Sequence, residues 1–209
     1  MGHGKSLPPG HYHYIEPEGG YHASKFGTWL FLATEVHLFT ALFAAFAVMR
    51  WKFPEMFHEG AHHLNWKLGM LNTIVLLSSS YFMVRGVDAA QHGDNKKTRF
   101  WLDLTQLCAV IFLVVKAFEY GSKFSHGITP GTNQFYGLYF TMTGIHGVHV
   151  IVGMGLIYWL RCLTKSDRFS KNFYTPVETV GLYWHLVDAV WIFLYPIVYL
   201  LGGVSLGIN

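Results

Sequence analysis

Five long apolar segments dominate this chain, and four of them carry ionisable residues at positions where a membrane would place lipid. The last segment is the densest case, because His185 and Asp188 sit three residues apart and so share one face of a helix. A charged side chain at the centre of a bilayer costs about 2.5–3.5 kcal/mol or more. Such residues are therefore expected to face a protein interior, to pair with each other, or to line a water or ion path.

This pattern predicts an all-α, polytopic membrane protein built as a five-transmembrane-helix bundle. Of the 209 residues, 52% are hydrophobic and 13% are charged, whereas soluble domains average about 25% charged residues. Each span needs about 20 mostly apolar residues. The predicted spans cover residues 26–49, 66–87, 99–120, 134–163 and 176–201.

The predicted domain organisation is a polar N-terminal tail at 1–25, a five-helix transmembrane domain at 26–201 and a short C-terminal tail at 202–209. Recurrent glycine and proline predict that residues 1–25 are irregular. Residues 52–65 are predicted to be a loop, and the histidines there are expected to be solvated rather than metal ligands. The net charge of +3 is too small and too dispersed to indicate a nucleic-acid partner.

The distribution of cations predicts the orientation of the chain. The N-terminal tail and the stretches around 88–98 and 164–174 fall on one side of a five-span protein and hold most of the lysines and arginines. The opposite side holds only Arg50, Lys52, Lys67 and Lys123. Because cytoplasmic loops are enriched in Lys and Arg, the N-terminus is expected in the cytoplasm and the C-terminus outside.

Glu35 lies six residues beyond Trp29, which is about 9 Å further along the first span at 1.5 Å rise per residue. An unpaired carboxyl at this depth would be protonated at neutral pH, because burial disfavours its charge. Two interpretations stay open for this residue. It is either a neutral group that hydrogen-bonds a neighbouring helix, or a carboxyl that carries protons or gates a path.

The third and fourth spans hold further polar groups. Lys116 and Glu119 can form an ion pair at their i,i+3 spacing, although Glu119 could instead turn toward the histidines of span four. Those histidines, His146 and His149, lie on nearly one face. Their spacing is compatible with a metal site, but no carboxylate partner is evident, and hydrogen-bonded structural histidines are favoured over a metal or haem.

In the fifth span, Glu178 follows Pro176 and suits the N-terminus of a helix. His185 and Asp188 are expected to form a buried pair that satisfies both groups without a catalytic role.

The chain shows no nucleophile with a base, no phosphate loop and no CxxC motif. We therefore predict no catalytic residue, no metal site and no cofactor of its own, which favours a subunit of a larger complex or a small transporter.

Several motifs together resemble subunit III of the haem–copper terminal oxidases. They run in order from about residue 26 to 201, and the last two are the most specific. The motifs are Trp29-Leu-Phe-Leu-Ala-Thr-Glu35, Asn72-Thr-Ile-Val-Leu-Leu-Ser-Ser, Glu119-Tyr120, Phe140-Thr-Met-Thr-Gly-Ile-His146-Gly-Val-His149 and Tyr183-Trp-His-Leu-Val-Asp-Ala-Val-Trp-Ile-Phe-Leu-Tyr.

The resemblance implies the five-helix form of a subunit that has seven helices in other members. It implies a non-catalytic subunit of a proton-pumping oxygen reductase in a bacterial inner membrane, with haem and copper in partner subunits. The expected partners are the catalytic subunit I, other oxidase subunits and bound phospholipid. Subunit III is associated with sustained proton uptake and with protection from inactivation during turnover. Residues 1–25 are a candidate contact for a respiratory supercomplex.

The family's functional residues can be carried over to matching positions. Glu35 matches a buried reactive carboxyl of the family, and Glu119, His146 and His149 match a polar cluster of the central helices. Arg161 matches an arginine that binds lipid phosphate, a role that suits a fork-shaped cation. The remaining candidates are Glu178 for lipid binding and His185 with Asp188 for the final motif.

Two departures from the family stand out. In the longer form of the family, phospholipids bind in a cleft between the first two helices and the remainder. Without those two helices, another subunit or lipid must close this cleft, and residues 1–25 have no clear counterpart. The electron donor is left open, with a cytochrome c oxidase favoured over a quinol oxidase. The alternatives are an accessory subunit of a nitric oxide reductase, and an independent small transporter or metal-binding membrane protein that would use His146, His149, Glu119 and His185.

Overall fold

A computed structural model describes residues 17–164 and 174–200 of the chain. In these ranges the chain forms six α-helices and a closing π-helical turn. The elements are α1 (Pro17–Lys52), α2 (Pro54–His62), α3 (Trp66–Gln91), α4 (Asn95–Ser125), α5 (Gln134–Thr164), α6 (Thr175–Tyr195) and the π-helical turn (Pro196–Leu200).

Five helices in the described part of the chain are long and apolar enough to cross a membrane, which confirms the predicted all-α, five-span fold class. Helical backbone is what such segments require, because lipid offers no hydrogen-bond partner to a free N–H or C=O group. The short helix α2 is the exception, since it has nine residues and connects two of the long helices.

The last helix, α6, lies at the centre of the bundle, and α1 lies at its edge. In the most apolar stretch of each helix, 56% of the residues in α6 are buried, against 17% in α1. Two tryptophans of α6, Trp184 and Trp191, are fully buried. Close approach of α5 to Trp184 depends on Gly153, where a Cβ would lie 2.8 Å from the indole ring.

Side-chain caps define the starts of α3 and α4. The Asn65 side chain accepts hydrogen bonds from the backbone N–H groups of Lys67 and Leu68, and Asp94 accepts one from Lys97. This backbone hydrogen bond, followed by the side-chain contact with Lys97, lowers the pKa of the exposed Asp94 carboxyl. Gly93, with a φ of 75°, makes the left-handed turn between the two helices.

Several predicted boundaries need correction. Helix α1 begins at Pro17, so the prediction that residues 17–25 are irregular is wrong. The predicted loop 52–65 contains α2, because a proline at the first helical position starts a helix rather than breaking it. The predicted loop at 88–98 shrinks to a turn, since α3 and α4 both extend into it. The rest of the N-terminal tail, the stretch 165–173 and the predicted C-terminal tail lie outside the described residues.

Candidate functional site

Glu35 of α1 and His149 of α5 meet where these two helices contact each other. The Glu35 Oε2 atom lies 2.8 Å from His149 Nε2, and both side chains are largely buried, at 16% and 17% exposure. Glu35 is thus not the unpaired carboxyl on which its predicted protonation depended. It is also Glu35, rather than Glu119, that meets a histidine of the fourth span.

The other nitrogen of His149 defines how this pair holds a proton. His149 Nδ1 lies 2.8 Å from the carbonyl oxygen of Ile145. A carbonyl can only accept, so Nδ1 carries a hydrogen. Nε2 then shares one proton with the Glu35 carboxyl, either as a carboxylate facing an imidazolium or as a carboxylic acid facing a neutral imidazole. Both arrangements are neutral overall, which suits a pair placed inside a membrane.

Lys116 and Glu119 form the ion pair that their spacing predicts, with Lys116 Nζ 2.9 Å from Glu119 Oε2. The pair is buried, with exposures of 7% and 4%. The single hydrogen of the Tyr199 hydroxyl is shared between the two carboxylate oxygens of Glu119, at 2.7 and 2.9 Å. Lys116 also donates to the hydroxyls of Tyr139 and Tyr199, at 3.1 and 3.0 Å. Every hydrogen of the ammonium group therefore has an acceptor.

Aromatic rings enclose the Lys116 ammonium group. Its Nζ lies 5.1–5.6 Å from four ring centroids, those of Tyr120, Tyr139, Trp191 and Tyr199. Such contacts stabilise a cation, more strongly where water is excluded. We define the Lys116 cluster as Lys116, Glu119, Lys123, Tyr139 and Tyr199.

Three members of the Lys116 cluster, Lys123, Tyr139 and Tyr199, were missed as site residues from the sequence. Lys123 is buried on the same face of α4, with its Nζ 5.3 Å from the Tyr139 ring centroid. The i,i+3,i+7 spacing of Lys116, Glu119 and Lys123 was the available signal. Tyr199 gave no such signal, because it belongs to the π-helical turn and reaches α4 only through the tertiary fold.

His185 and Asp188 do not pair with each other, which corrects the prediction. His185 Nδ1 lies 2.7 Å from the Ser80 hydroxyl, and Asp188 Oδ2 accepts from the Ser79 hydroxyl at 3.3 Å. Residues three apart on a helix point about 60° apart. The two side chains therefore reach two successive serines of α3 instead of each other.

His146 is fully buried, but it is not the hydrogen-bonded histidine that the sequence predicted. Neither ring nitrogen has a hydrogen-bond partner among the described residues. Its ring lies between Phe112 and Trp191, with centroids 5.5 and 5.2 Å away. His146 thus faces the core while His149 faces α1, so the two imidazoles do not converge on a common ion.

Both lipid-binding candidates have a charged partner within the chain. Arg161 Nε donates a hydrogen bond to Asp103 Oδ1, which ties α5 to α4. Glu178, in the first turn of α6, pairs with Lys25 of α1 at 3.1 Å. These contacts neither require nor prevent a bound lipid.

A cavity of about 360 Å³ opens between α3 and α6. Its polar lining consists of Asp88, Gln91, Glu178 and His185, and the rest of the lining is apolar. The cavity therefore brings the Glu178 carboxyl and the His185 ring to one surface. It has the size and mixed lining of a site for a small ligand or a lipid segment.

The family described as "Cytochrome c oxidase subunit III" matches residues 20–203 of the chain. A cytochrome c oxidase subunit 3 from Corynebacterium diphtheriae is 38% identical over 182 residues, which cover 83% of this chain and 85% of that protein.

Two further relatives agree. A cytochrome c oxidase subunit 3 from Synechocystis is 38% identical over 179 residues, covering 84% of this chain and 75% of that protein. A probable quinol oxidase subunit 3 from Staphylococcus haemolyticus is 30% identical over 184 residues, covering 88% of this chain and 92% of that protein. With its five membrane-spanning helices and a family match over most of its length, this chain is a multi-pass membrane protein that belongs to the cytochrome c oxidase subunit III family.

Proposed function

We propose that this chain is the non-catalytic subunit III of a proton-pumping haem–copper terminal oxidase in a bacterial inner membrane, with its N-terminus in the cytoplasm. The observation that carries the proposal is the family match over residues 20–203. Membership in this family makes the chain part of a terminal oxidase complex. The relatives are named as oxidase subunits, which favours this function over a nitric oxide reductase accessory subunit or an independent transporter.

We favour the cytochrome c oxidase type. Both relatives at 38% identity are named cytochrome c oxidase subunit 3, whereas the protein named a probable quinol oxidase subunit is 30% identical. The haem and copper centres then belong to partner subunits, above all the catalytic subunit I. A purified complex that oxidises reduced cytochrome c, and does not oxidise quinol, is the expected result; the reverse preference would contradict this assignment.

The proposed role of the chain is to sustain proton uptake and stability of the catalytic subunit during turnover. Among the interior contacts, the Glu35–His149 pair has the chemistry closest to this role, because it shares one proton between two ionisable groups. The Lys116 cluster instead ties α4 to α5 and to the π-helical turn, so its role is structural.

A comparison of oxidase preparations with and without this chain tests the role. We expect equal initial rates of oxygen consumption, followed by progressive loss of activity over many turnovers only in the preparation that lacks the chain. Adding the purified chain back should restore sustained turnover. An oxidase without the chain that turned over and pumped protons as long as the complete enzyme would refute the proposed role.

We also propose that Arg161 helps to bind a phospholipid. A guanidinium has five N–H donors, and the contact with Asp103 uses the one on Nε. The remaining donors suit a phosphate group. Lipid extraction and mass spectrometry should find less phospholipid bound to the Arg161→Gln complex than to wild type, whereas Arg99→Gln should leave the amount unchanged. Equal lipid in all three complexes would count against this site.

A further inference from the structure

The short helix α2 is fixed firmly against one end of the bundle. Phe57 is fully buried and meets the rings of Phe46 and Phe135 edge to face, with centroids 5.0 and 5.4 Å away. Gly60 lets the helix approach closely, because a Cβ at this position would overlap the Phe135 ring. This docking holds one face of α2 in place, so the residues of its opposite face have a defined position.

That opposite face carries two histidines one helical turn apart. The Nε2 atoms of His58 and His62 lie 3.1 Å from each other, and the two rings are nearly perpendicular, at 88°. Two imidazole nitrogens bound at 2.0–2.1 Å to one tetrahedral zinc ion are about 3.3 Å apart. The observed separation therefore lies within a few tenths of an ångström of that required by a shared ion.

The segment from His58 to His62 matches a metal-binding motif that functions on a helix. His58-Glu59-Gly-Ala-His62 is an H-E-x-x-H motif, whose histidines bind zinc from one helix face and whose glutamate serves as general base in metalloproteases. The segment was predicted to be a loop, where this spacing has no geometric consequence, and only the helix α2 gives it one. Hydrolysis would need a third protein ligand, but no three His, Cys, Asp or Glu side chains are grouped for metal binding in the described part of the chain.

We propose that His58 and His62 form a binding site for a divalent transition-metal ion such as Zn²⁺. Both Nε2 atoms ligate the ion, and water completes its coordination. Nε2 is the available ligand atom of His58, because its Nδ1 is buried without a hydrogen-bond partner among the described residues. Glu55 and Glu59 are exposed on the same helix face and favour a cation there.

The competing account is a plain hydrogen bond in which one Nε2–H donates to the other Nε2. That bond produces the same short distance but no affinity for metal. Because the two accounts differ only in binding, the test measures bound zinc rather than oxidase activity. It is thus independent of the proposed function.

The experiment is equilibrium dialysis of the purified complex against micromolar Zn²⁺, followed by metal analysis. We expect the wild-type complex to bind one equivalent more zinc than His62→Gln or His58→Gln. His62 is exposed, so its substitution should not disturb folding. His63→Gln is the matched control, since His63 is also exposed and adjacent but lies beyond α2, and it should bind zinc like wild type.

Two results would overturn the proposal. One is equal zinc in wild type and His62→Gln, and the other is an equal loss of zinc in His62→Gln and His63→Gln. A pH series adds a second readout, because protons compete with metal for imidazole nitrogen. The zinc that depends on His62 should be released as the pH falls and bind again when the pH is raised.

Discussion

The buried ion pair of Lys116 and Glu119 is expected to respond unequally to the removal of each of its two charges. Glu119 is a buried acid next to two buried lysines, Lys116 and Lys123, on one face of α4. Glu119→Gln removes the negative charge and places an amide N–H₂ among donors. Breaking a buried ion pair from one side costs about 3–5 kcal/mol, because a charge stays buried without a partner. We expect the free energy of unfolding to fall by this amount.

The change from the other side should cost less. Lys116→Met leaves Glu119 with the bifurcated hydrogen bond from the Tyr199 hydroxyl, at 2.7 and 2.9 Å, and with Lys123 at the i,i+4 position. The expected loss is about 1.5–3 kcal/mol, the range for a hydrogen bond to a charged group. The double variant should be less destabilised than the sum of the single variants, with a coupling of about 1–3 kcal/mol.

Unfolding of the purified full chain in mixed detergent micelles, followed by circular dichroism, measures these differences. Lys67→Met is the matched control, because Lys67 is exposed and should change the stability by less than about 0.5 kcal/mol. Equal effects of Glu119→Gln and Lys67→Met, or strictly additive effects in the double variant, would refute the reasoning from burial and pairing.

Two other predictions concern helix contacts. Gly153→Ala should destabilise the chain by about 1–3 kcal/mol in the same unfolding assay, because the added Cβ would meet the fully buried ring of Trp184. Gly155→Ala is the control and should be neutral or stabilising, since a Cβ at this position would have no neighbouring atom within 4 Å. Equal effects of the two variants would contradict this reasoning. Glu35→Gln should keep a hydrogen bond to His149 Nε2 and lose little stability, while Glu35→Leu leaves that nitrogen unpaired and should cost about 1–3 kcal/mol. Indistinguishable losses in the two Glu35 variants would argue against the shared-proton contact.

The length of the apolar segments and the residue spacing within them predict much of the fold. The fourth span was predicted at 134–163, and α5 covers Gln134–Thr164, because a long apolar run in lipid has few alternatives to a helix. The i,i+3 spacing of Lys116 and Glu119 likewise predicted their ion pair. Two predictions of irregular structure failed where a proline begins a helix. Pro54 begins α2 within the predicted loop 52–65, and Pro17 begins α1 within the predicted irregular tail.

The partners of the buried polar residues could not be predicted in the same way. A helix face is set by residue spacing, but the neighbouring helix that the face meets is set by the tertiary fold. His185 and Asp188 illustrate this, since both face α3 and bind different serines there. Glu35 meets His149, which lies 114 residues away in sequence, and no local pattern in one sequence contains that information.

The residues of the proposed zinc site, in contrast, lie close together in the sequence. The His58–Glu59–His62 spacing was present in the sequence, but it becomes informative only with α2 in place. The motif brings its two histidines together only on a helix. Because residues 52–65 were predicted to be a loop, the two histidines were not recognised as candidate metal ligands.

The proposed function requires this chain to be a subunit of a terminal oxidase. The most direct test is mild-detergent purification through a tag on this chain, followed by a reduced-minus-oxidised optical spectrum and an oxygen-consumption assay. We expect haem bands and oxygen reduction in the purified complex. An intact, homogeneous preparation without haem would contradict the claim.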